Sequence, residues 1–168
     1  TEAPAPSALT LNDPSPSREA FIHFGVTFDE PVTGLDRSDF LLVVDGVPQE
    51  PSVPDGKVIG GTPLSLDVAG DGAQYVITVG TGTGDGSIAL LLENDGTVLD
   101  LAGNPLEAGL GASEACALDR TPPQASISTT VVSPSDQTEI PIDIAFDETV
   151  LGFSLDDLAV VNGTVTDL

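Results

Sequence analysis

The sequence repeats itself at a constant spacing of 118 residues. Ser15-Pro16-Ser17, Phe28-Asp29-Glu30, Val32, Gly34, Asp39 and Phe40 recur as Ser133-Pro134-Ser135, Phe146-Asp147-Glu148, Val150, Gly152, Asp157 and Leu158. A fixed offset over such a stretch is the mark of a duplicated folding unit. The register also holds between those anchors, where Ile22, Phe24, Val26 and Phe28 answer to Ile140, Ile142, Ile144 and Phe146. Both copies thus carry the same apolar face, but the second holds the counterparts of only the first three strands, so its Ile140, Ile142, Ile144 and Phe146 face is expected to have no opposite sheet of its own to cover it. The spacing divides the chain into one complete module over residues 1–120 and the N-terminal part of a second, truncated module over 121–168.

Strand signals dominate the pattern within a copy. Residues 20–28 place Ile22, Phe24, Val26 and Phe28 on one face and Phe21, His23, Gly25 and Thr27 on the other. That period of two predicts a half-buried antiparallel strand. Further short strands are expected at 8–11, 40–44, 64–68, 75–79, 87–93 and 115–118, about seven in all. Asp-Gly pairs at Asp45-Gly46, Asp55-Gly56, Asp71-Gly72, Asp85-Gly86 and Asp95-Gly96 punctuate them with turn chemistry. Short strands at this spacing predict an all-β sandwich with Greek-key connections. One helical turn is expected at residues 35–38, echoed at 153–156.

The joint between the copies is legible as Asp119-Arg120-Thr121-Pro122-Pro123, with Thr1-Glu2-Ala3-Pro4-Ala5-Pro6 as its counterpart at the start. Prolines stiffen such a joint and withhold backbone donors, so neighbouring modules are expected to be held extended. Residues 46–63 carry Pro48, Pro51, Pro54, Pro63 and four glycines and have no counterpart in the second copy. They predict a surface hairpin or loop, where module-specific binding would reside.

Charge narrows the partners. Asp and Glu number 27 against 4 Lys and Arg, a formal net charge of −23. Nucleic acid and anionic membrane surfaces are excluded, because both are held by basic side chains. The longest uninterrupted apolar run, residues 88–92, is far below the roughly 18–20 residues of a membrane-spanning helix, so no membrane insertion is expected. The single Cys116 forms no intramolecular disulfide. The sequence contains no Met, which is expected of a piece excised from a longer precursor, and no signal peptide is expected within it.

Several motifs occur together in a recognisable order: Val26-Thr27-Phe28-Asp29-Glu30-Pro31-Val32-Thr33-Gly34, Tyr75-Val76-Ile77-Thr78-Val79, Gly82-Thr83-Gly84-Asp85-Gly86-Ser87, Asp100-Leu101-Ala102-Gly103-Asn104-Pro105-Leu106 and Asp119-Arg120-Thr121-Pro122-Pro123. In this order they resemble the bacterial Ig-like repeats of large secreted and cell-surface, adhesin-type proteins. The resemblance spans nearly all of the first copy and the start of the second. It implies an immunoglobulin-like Greek-key sandwich, strung in tandem as stalks and adhesive arms, without enzymatic activity. Cys116 stands at a strand position where the family commonly has Tyr, and Trp is absent, so the antibody-type Cys and Trp core is not present.

The chemistry-bearing residues are few. His23 falls on the outward face of its strand with no nucleophile or orienting acid beside it in sequence. Cys116 lies between Ala115 and Ala117 and reads as a small buried hydrophobe, with no basic neighbour to lower its pKa. The Gly-rich run over residues 80–86 precedes a strand and not a helix, so it reads as a turn and not as a phosphate loop. Neither residues 67–72 nor 93–96 have calcium-loop spacing.

An acidic set survives this sorting: Glu30 at the end of a strand, Asp100 with Asn104 in one turn, and Asp119 at the start of the joint. Hard oxygen ligands of this kind suit Ca²⁺ at a junction of modules. The competing reading is that Asp100 caps its own turn and Glu30 is a solvated strand end. The functional expectation is a non-catalytic structural or adhesive module, extracellular or on the bacterial cell surface, serving as stalk or spacer. Its partners would be adjacent Ig-like modules of the same chain and a surface or polysaccharide ligand. The alternative is an accessory module of a large extracellular hydrolase that contacts carbohydrate through residues 46–63.

Overall fold

The computed structural model describes residues 2–49 and 64–168, with the backbone alone of residues 58–59 and 62–63. In chain order the strands are β1 (Pro6–Leu11), β2 (Phe21–Phe28), β3 (Val32–Thr33), β4 (Phe40–Val44), β5 (Val47–Pro48), β6 (Val58–Ile59), β7 (Thr62–Pro63), β8 (Leu66–Asp71), β9 (Gln74–Gly80), β10 (Gly86–Leu92), β11 (Leu99–Asp100), β12 (Cys116–Leu118), β13 (Ala125–Ser128) and β14 (Asp143–Phe146). Single 3-10 turns occupy Arg37–Asp39 and Leu155–Asp157. The chain forms two units, Thr1–Arg120 and Thr121–Leu168.

In the first unit the alternation of β2 decides the architecture. Its even-numbered residues Ile22, Phe24, Val26 and Phe28 are buried, and the odd ones are partly or fully exposed. Burying each of these large side chains contributes about 1.5–3 kcal/mol. β2 lies between β1 and β9 in a sheet ordered β1-β2-β9-β8, with antiparallel pairing throughout. The second sheet runs β12-β10-β4-β5, also antiparallel. Its Phe40, Val44, Ile88, Leu90 and Leu92 join the β2 and β9 side chains in one core, with Val98, Leu106 and Cys116 closing the ends. The two strand orders are those of a constant-type immunoglobulin sandwich with one short strand added beside β4.

Tyr75 does not enter the core fully. Its ring meets Phe28 edge-on, centroids 6.1 Å apart, and its hydroxyl donates to the Val32 carbonyl at 3.0 Å. A buried phenol needs an acceptor, which keeps Tyr75 at the rim. The strand expected at 64–68 begins two residues later, at Leu66, and runs to Asp71. The short pair β3–β11 lies outside the expected strands, because two residues carry no period. The β6–β7 pairing falls within the expected hairpin of 46–63, whose residues 50–57, 60 and 61 lie outside the described residues.

The second unit repeats the opening of the first. Ser126↔Ala145, Ile127↔Ile144 and Ser128↔Asp143 match Ala8↔Thr27, Leu9↔Val26 and Thr10↔Gly25 under the same shift of 118. A bulge between Pro6 and Ala8 gives β1 one residue more, so Ala5 and Gln124 become equivalent, bonded to Asp29 and Asp147 in the same way. Gly34 and Gly152 take φ of +85° and +81°, which favours glycine at this turn in both copies.

The apolar face of the second unit lacks cover, as its missing strands lead one to expect: Ile140 and Ile142 are 51% and 57% exposed, and only Ile144 and Phe146 of that face are half-buried. The counterpart of the third strand, however, does not form. Residues 158–162, which answer to β4, form no strand. β4 is held in the first unit by β10 and β5, and the described residues of the second unit include no such neighbours. Phe146 instead packs on Phe153, ring centroids 5.1 Å apart.

Candidate functional site

At one end of the first unit, where β2 finishes, the chain enters. The Ala5 N–H donates to the Asp29 carboxylate at 2.8 Å, the Asp29 N–H returns to the Ala5 carbonyl at 3.0 Å, and Glu107 N–H donates to the Pro4 carbonyl. Asp29 is therefore an anchor for the entering chain, and Asp147 does the same for Gln124. Beside this anchor lies a depression of about 440 Å³ lined by Glu2, Asp29, Glu30, Pro31, Asp100, Leu101 and Ala102. β11 brings Asp100 there by pairing with β3, opposite Val32.

The fold thus brings Glu30 and Asp100 to one depression and Asp100 and Asn104 to one turn. Asp100 accepts from the N–H groups of Ala102 and Asn104, both at 2.8 Å, and from Asn104 Nδ2 at 2.7 Å. Those donors, the Asn104 side chain first, hold the Asp100 carboxyl below the usual value. This is the geometry of a carboxylate that caps its own turn. Asp119 is not with them. It stands at the opposite end of the first unit, its N–H donating to the Ser17 carbonyl at 3.1 Å. Among the described residues no three His, Cys, Asp or Glu side chains converge closely enough to hold a metal ion as they stand. The donors are nevertheless hard oxygens of the kind Ca²⁺ prefers.

The other chemistry-bearing residues have structural partners. His23 Nδ1 lies 2.9 Å from Asp13 Oδ2, and the His23 N–H donates to the same oxygen, so this side chain is tethered and not simply solvated as its outward position suggested. Cys116 is buried, and burial pushes its thiol pKa up, against the smaller opposing effect of the Ser15 hydroxyl. The Gly-rich run places Gly82 and Gly86 at φ of +72° and +153° and leads into strand β10, the geometry of a turn.

Two groups escaped the sequence reading. Asp39 is fully buried. It accepts from Asp36 N–H at 2.7 Å and Thr97 Oγ1 at 2.8 Å, and burial foremost raises its pKa. Its signal was the capping-box spacing of Asp36 and Asp39, repeated at Ser154 and Asp157. Arg120 donates to the carbonyls of Gly84 (2.8 Å) and Glu19 (2.7 Å) and to Thr81 Oγ1 (2.5 Å), while its N–H reaches Asp85 Oδ1 at 2.6 Å. Nothing in the local pattern marks it, beyond its being one of 4 basic residues in the chain.

No helix among the described residues is long and apolar enough to cross a membrane. A comparison with curated proteins finds no match to the chain. The bacterial Ig-like domain family matches residues 119–168. Those residues comprise the joint from Asp119 onward and the second unit, whose strand register the first unit repeats. By sequence, then, residues 119–168 are similar to the bacterial Ig-like domain family, the one the tandem motifs resemble.

Proposed function

We propose that this chain is a structural, non-catalytic segment of a tandem Ig-like array in a secreted or surface-exposed bacterial protein, where it acts as stalk or spacer and carries adhesive regions outward. One observation carries the reading. The chain enters the first unit beside Asp29, at the Phe28 end of β2, and leaves it beside Glu19 and Thr81, at the Phe21 end. Opposite ends are what stringing requires, since a unit whose termini lay together would add bulk without reach. The excess of 27 acids over 4 bases supports the same role by keeping such a segment soluble and free of nonspecific partners.

Small-angle scattering on one, two and three tandem copies of residues 1–120 tests the reading. The maximum dimension should grow by about 20–25 Å or more per copy, the length of a strand like β2 at roughly 3.3 Å per residue. Growth that follows the cube root of mass, as for collapsed copies, would refute it. Saturable binding of residues 1–168 to a soluble polysaccharide would favour the carbohydrate-contacting alternative. Calcium rigidification is the second part of the proposal. The fold offers Glu30 and Asp100, with Glu2 and Asp29, as its oxygen donors, and the ion would have to draw the glutamates inward.

A further inference from the structure

Thr97 stands between two acids. Its Oγ1 lies 2.8 Å from Asp39 Oδ1 and 2.6 Å from Asp95 Oδ1. Asp39 is fully buried, whereas Thr97 and Asp95 are exposed, in the segment between β10 and β11. Asp39 Oδ2 is already in use, accepting from Asp36 N–H at 2.7 Å, and Asp95 Oδ1 also accepts from Thr97 N–H at 2.9 Å. One oxygen of each acid is therefore turned to a single hydroxyl.

A hydroxyl carries one proton. Given to an ionised Asp39, it leaves an ionised Asp95 facing a lone pair across 2.6 Å. Given to Asp95, it leaves a buried carboxylate without that donor, which is costly. Both contacts are hydrogen bonds at once only when one of the two carboxyls holds a second proton. Burial selects Asp39 for it, since enclosure disfavours the charged form and foremost raises its pKa. Asp95 is its opposite: the hydrogen bonds from Thr97, side chain first and backbone second, hold its carboxyl below the usual value. Neighbouring carboxyls pushed apart in this way divide into an acid and an ionised partner. The surrounding charges agree. Asp36 and Asp95 both raise Asp39, Arg37 of the same turn acts on Asp36, and Glu93 meets Asp39 through its backbone N–H. β8, packed against this turn, bears Asp67 and Asp71, both exposed.

We propose that Asp39, Thr97 and Asp95 form a proton-held clasp, in which the Asp39 carboxylic O–H donates to Thr97 Oγ1 and the Thr97 hydroxyl donates to the Asp95 carboxylate. The clasp ties the turn before β4 to the segment leading into β11, whose Asp100 lines the depression at the entering end. When the shared proton leaves to solvent, two carboxylates repel across one hydroxyl and the tie loosens. The raised Asp39 contributes stability that is full below 3.8 and lost as pH rises through its folded value. The lowered Asp95 contributes stability present above 3.8 and lost as pH falls through its folded value. The clasp is therefore tightest between the two, with one proton in the pair.

The test follows the Asp39 and Asp95 carboxyl carbons of residues 1–168 by NMR between about pH 2.5 and 8. Asp39 should titrate above 3.8 and Asp95 below it. In Asp95→Asn the Asp39 midpoint should move down, because a neighbouring negative charge is gone. Asp39→Asn gives Thr97 a permanent amide donor and keeps a carbonyl oxygen for Asp36 N–H, so it imitates the protonated acid. Relative to that variant, wild type should lose urea stability from acid to neutral pH. Over the same range its Thr97 amide should lose roughly tenfold in protection against hydrogen exchange, as for a hydrogen bond to a charged group. An Asp39 that titrates at or below 3.8 overturns the clasp, and so does a wild-type advantage over Asp39→Asn that persists unchanged at neutral pH. Should Asp39→Asn fail to fold, the Asp39 midpoints in wild type and Asp95→Asn decide. Neither result bears on the stalk reading.

Discussion

Thr97 Oγ1 donates to the carboxylate of the fully buried Asp39 across 2.8 Å, tying the turn before β4 to the segment after β10. The same carboxylate closes its own turn through the Asp36 N–H, and the Asp39 carbonyl accepts from Glu93 N–H at 2.7 Å. In the second unit Asp157 closes the equivalent turn through Ser154 N–H at 2.9 Å but is exposed. One residue type at one repeat position is thus a core pin in one copy and a surface cap in the other. Replacing Asp39 with Ala removes the buried acceptor of the Asp36 N–H and the Thr97 hydroxyl and should cost about 1–3 kcal/mol in urea unfolding. Asp157→Ala should cost no more than the roughly 0.5–2 kcal/mol of a lost cap. Equal losses would show that Thr97 and burial add nothing.

Phe24 and Ile142 give a second paired comparison, since they are equivalent under the 118-residue shift. Phe24 is wholly buried between the sheets, whereas Ile142 is 57% exposed. Phe24→Ala should cost about 3–5 kcal/mol. Ile142→Ala should lie within about 0.5 kcal/mol of wild type. Hydrogen exchange on the same sample should protect residues 21–28 far more than 143–146. Equal protection in a monomeric sample would mean that the Ile140 and Ile142 face is covered after all.

These comparisons locate what was readable in the chain. The period-two pattern of residues 20–28 gave β2 and its core because alternation reports burial directly, and the repeat gave the second ribbon its register. The bounds of β4 were also legible, since Phe40 through Val44 is apolar and ends at Asp45-Gly46. What the sequence concealed depends on long-range pairing: β3 with β11, Asp39 with Thr97, and Arg120 with oxygens up to 101 residues away. The exposure of Ile140 and Ile142, by contrast, was legible, because burial of their face needs an opposing sheet that the truncated copy does not supply. The separation of Asp119 from Glu30 likewise follows from strand direction, which places entrance and exit at opposite ends.

Asp100 supplies a prediction on pH. Its hydrogen bonds to Asn104 and Ala102 lower its pKa from 3.8. A carboxyl lowered in the folded state contributes stability that is present above its unfolded pKa and is lost as pH falls through the folded value. Asp100→Asn removes this titration, so wild type should exceed it in stability near neutral pH, with the gap narrowing progressively below about pH 4. Asp39 has the opposite sign: its raised pKa makes stability fall as pH rises from 3.8 through the folded value. Urea midpoints of both proteins between about pH 2.5 and 7 check this, and a gap independent of pH would refute it.

Calcium is decided by the depression at the entering end of the first unit. Glu2, Asp29, Glu30 and Asp100 all line it, so like charges are placed together in a chain that already carries −23. A divalent ion there would offset that repulsion, and Ca²⁺ is better suited than Mg²⁺ because it accepts irregular oxygen geometry and sheds water readily. An ion that binds only the folded state should add about 2.7 kcal/mol at roughly 100-fold excess over its dissociation constant. The expected result is a thermal midpoint of residues 1–168 that rises in millimolar calcium relative to EDTA at constant ionic strength, by more than in magnesium. Glu30→Gln should reduce the rise, whereas Asp119→Asn, at the far end of the unit, should leave that of the first unit unchanged. Equal shifts with the two ions would assign these acids to solubility and would leave Asp100 with its turn-capping role alone.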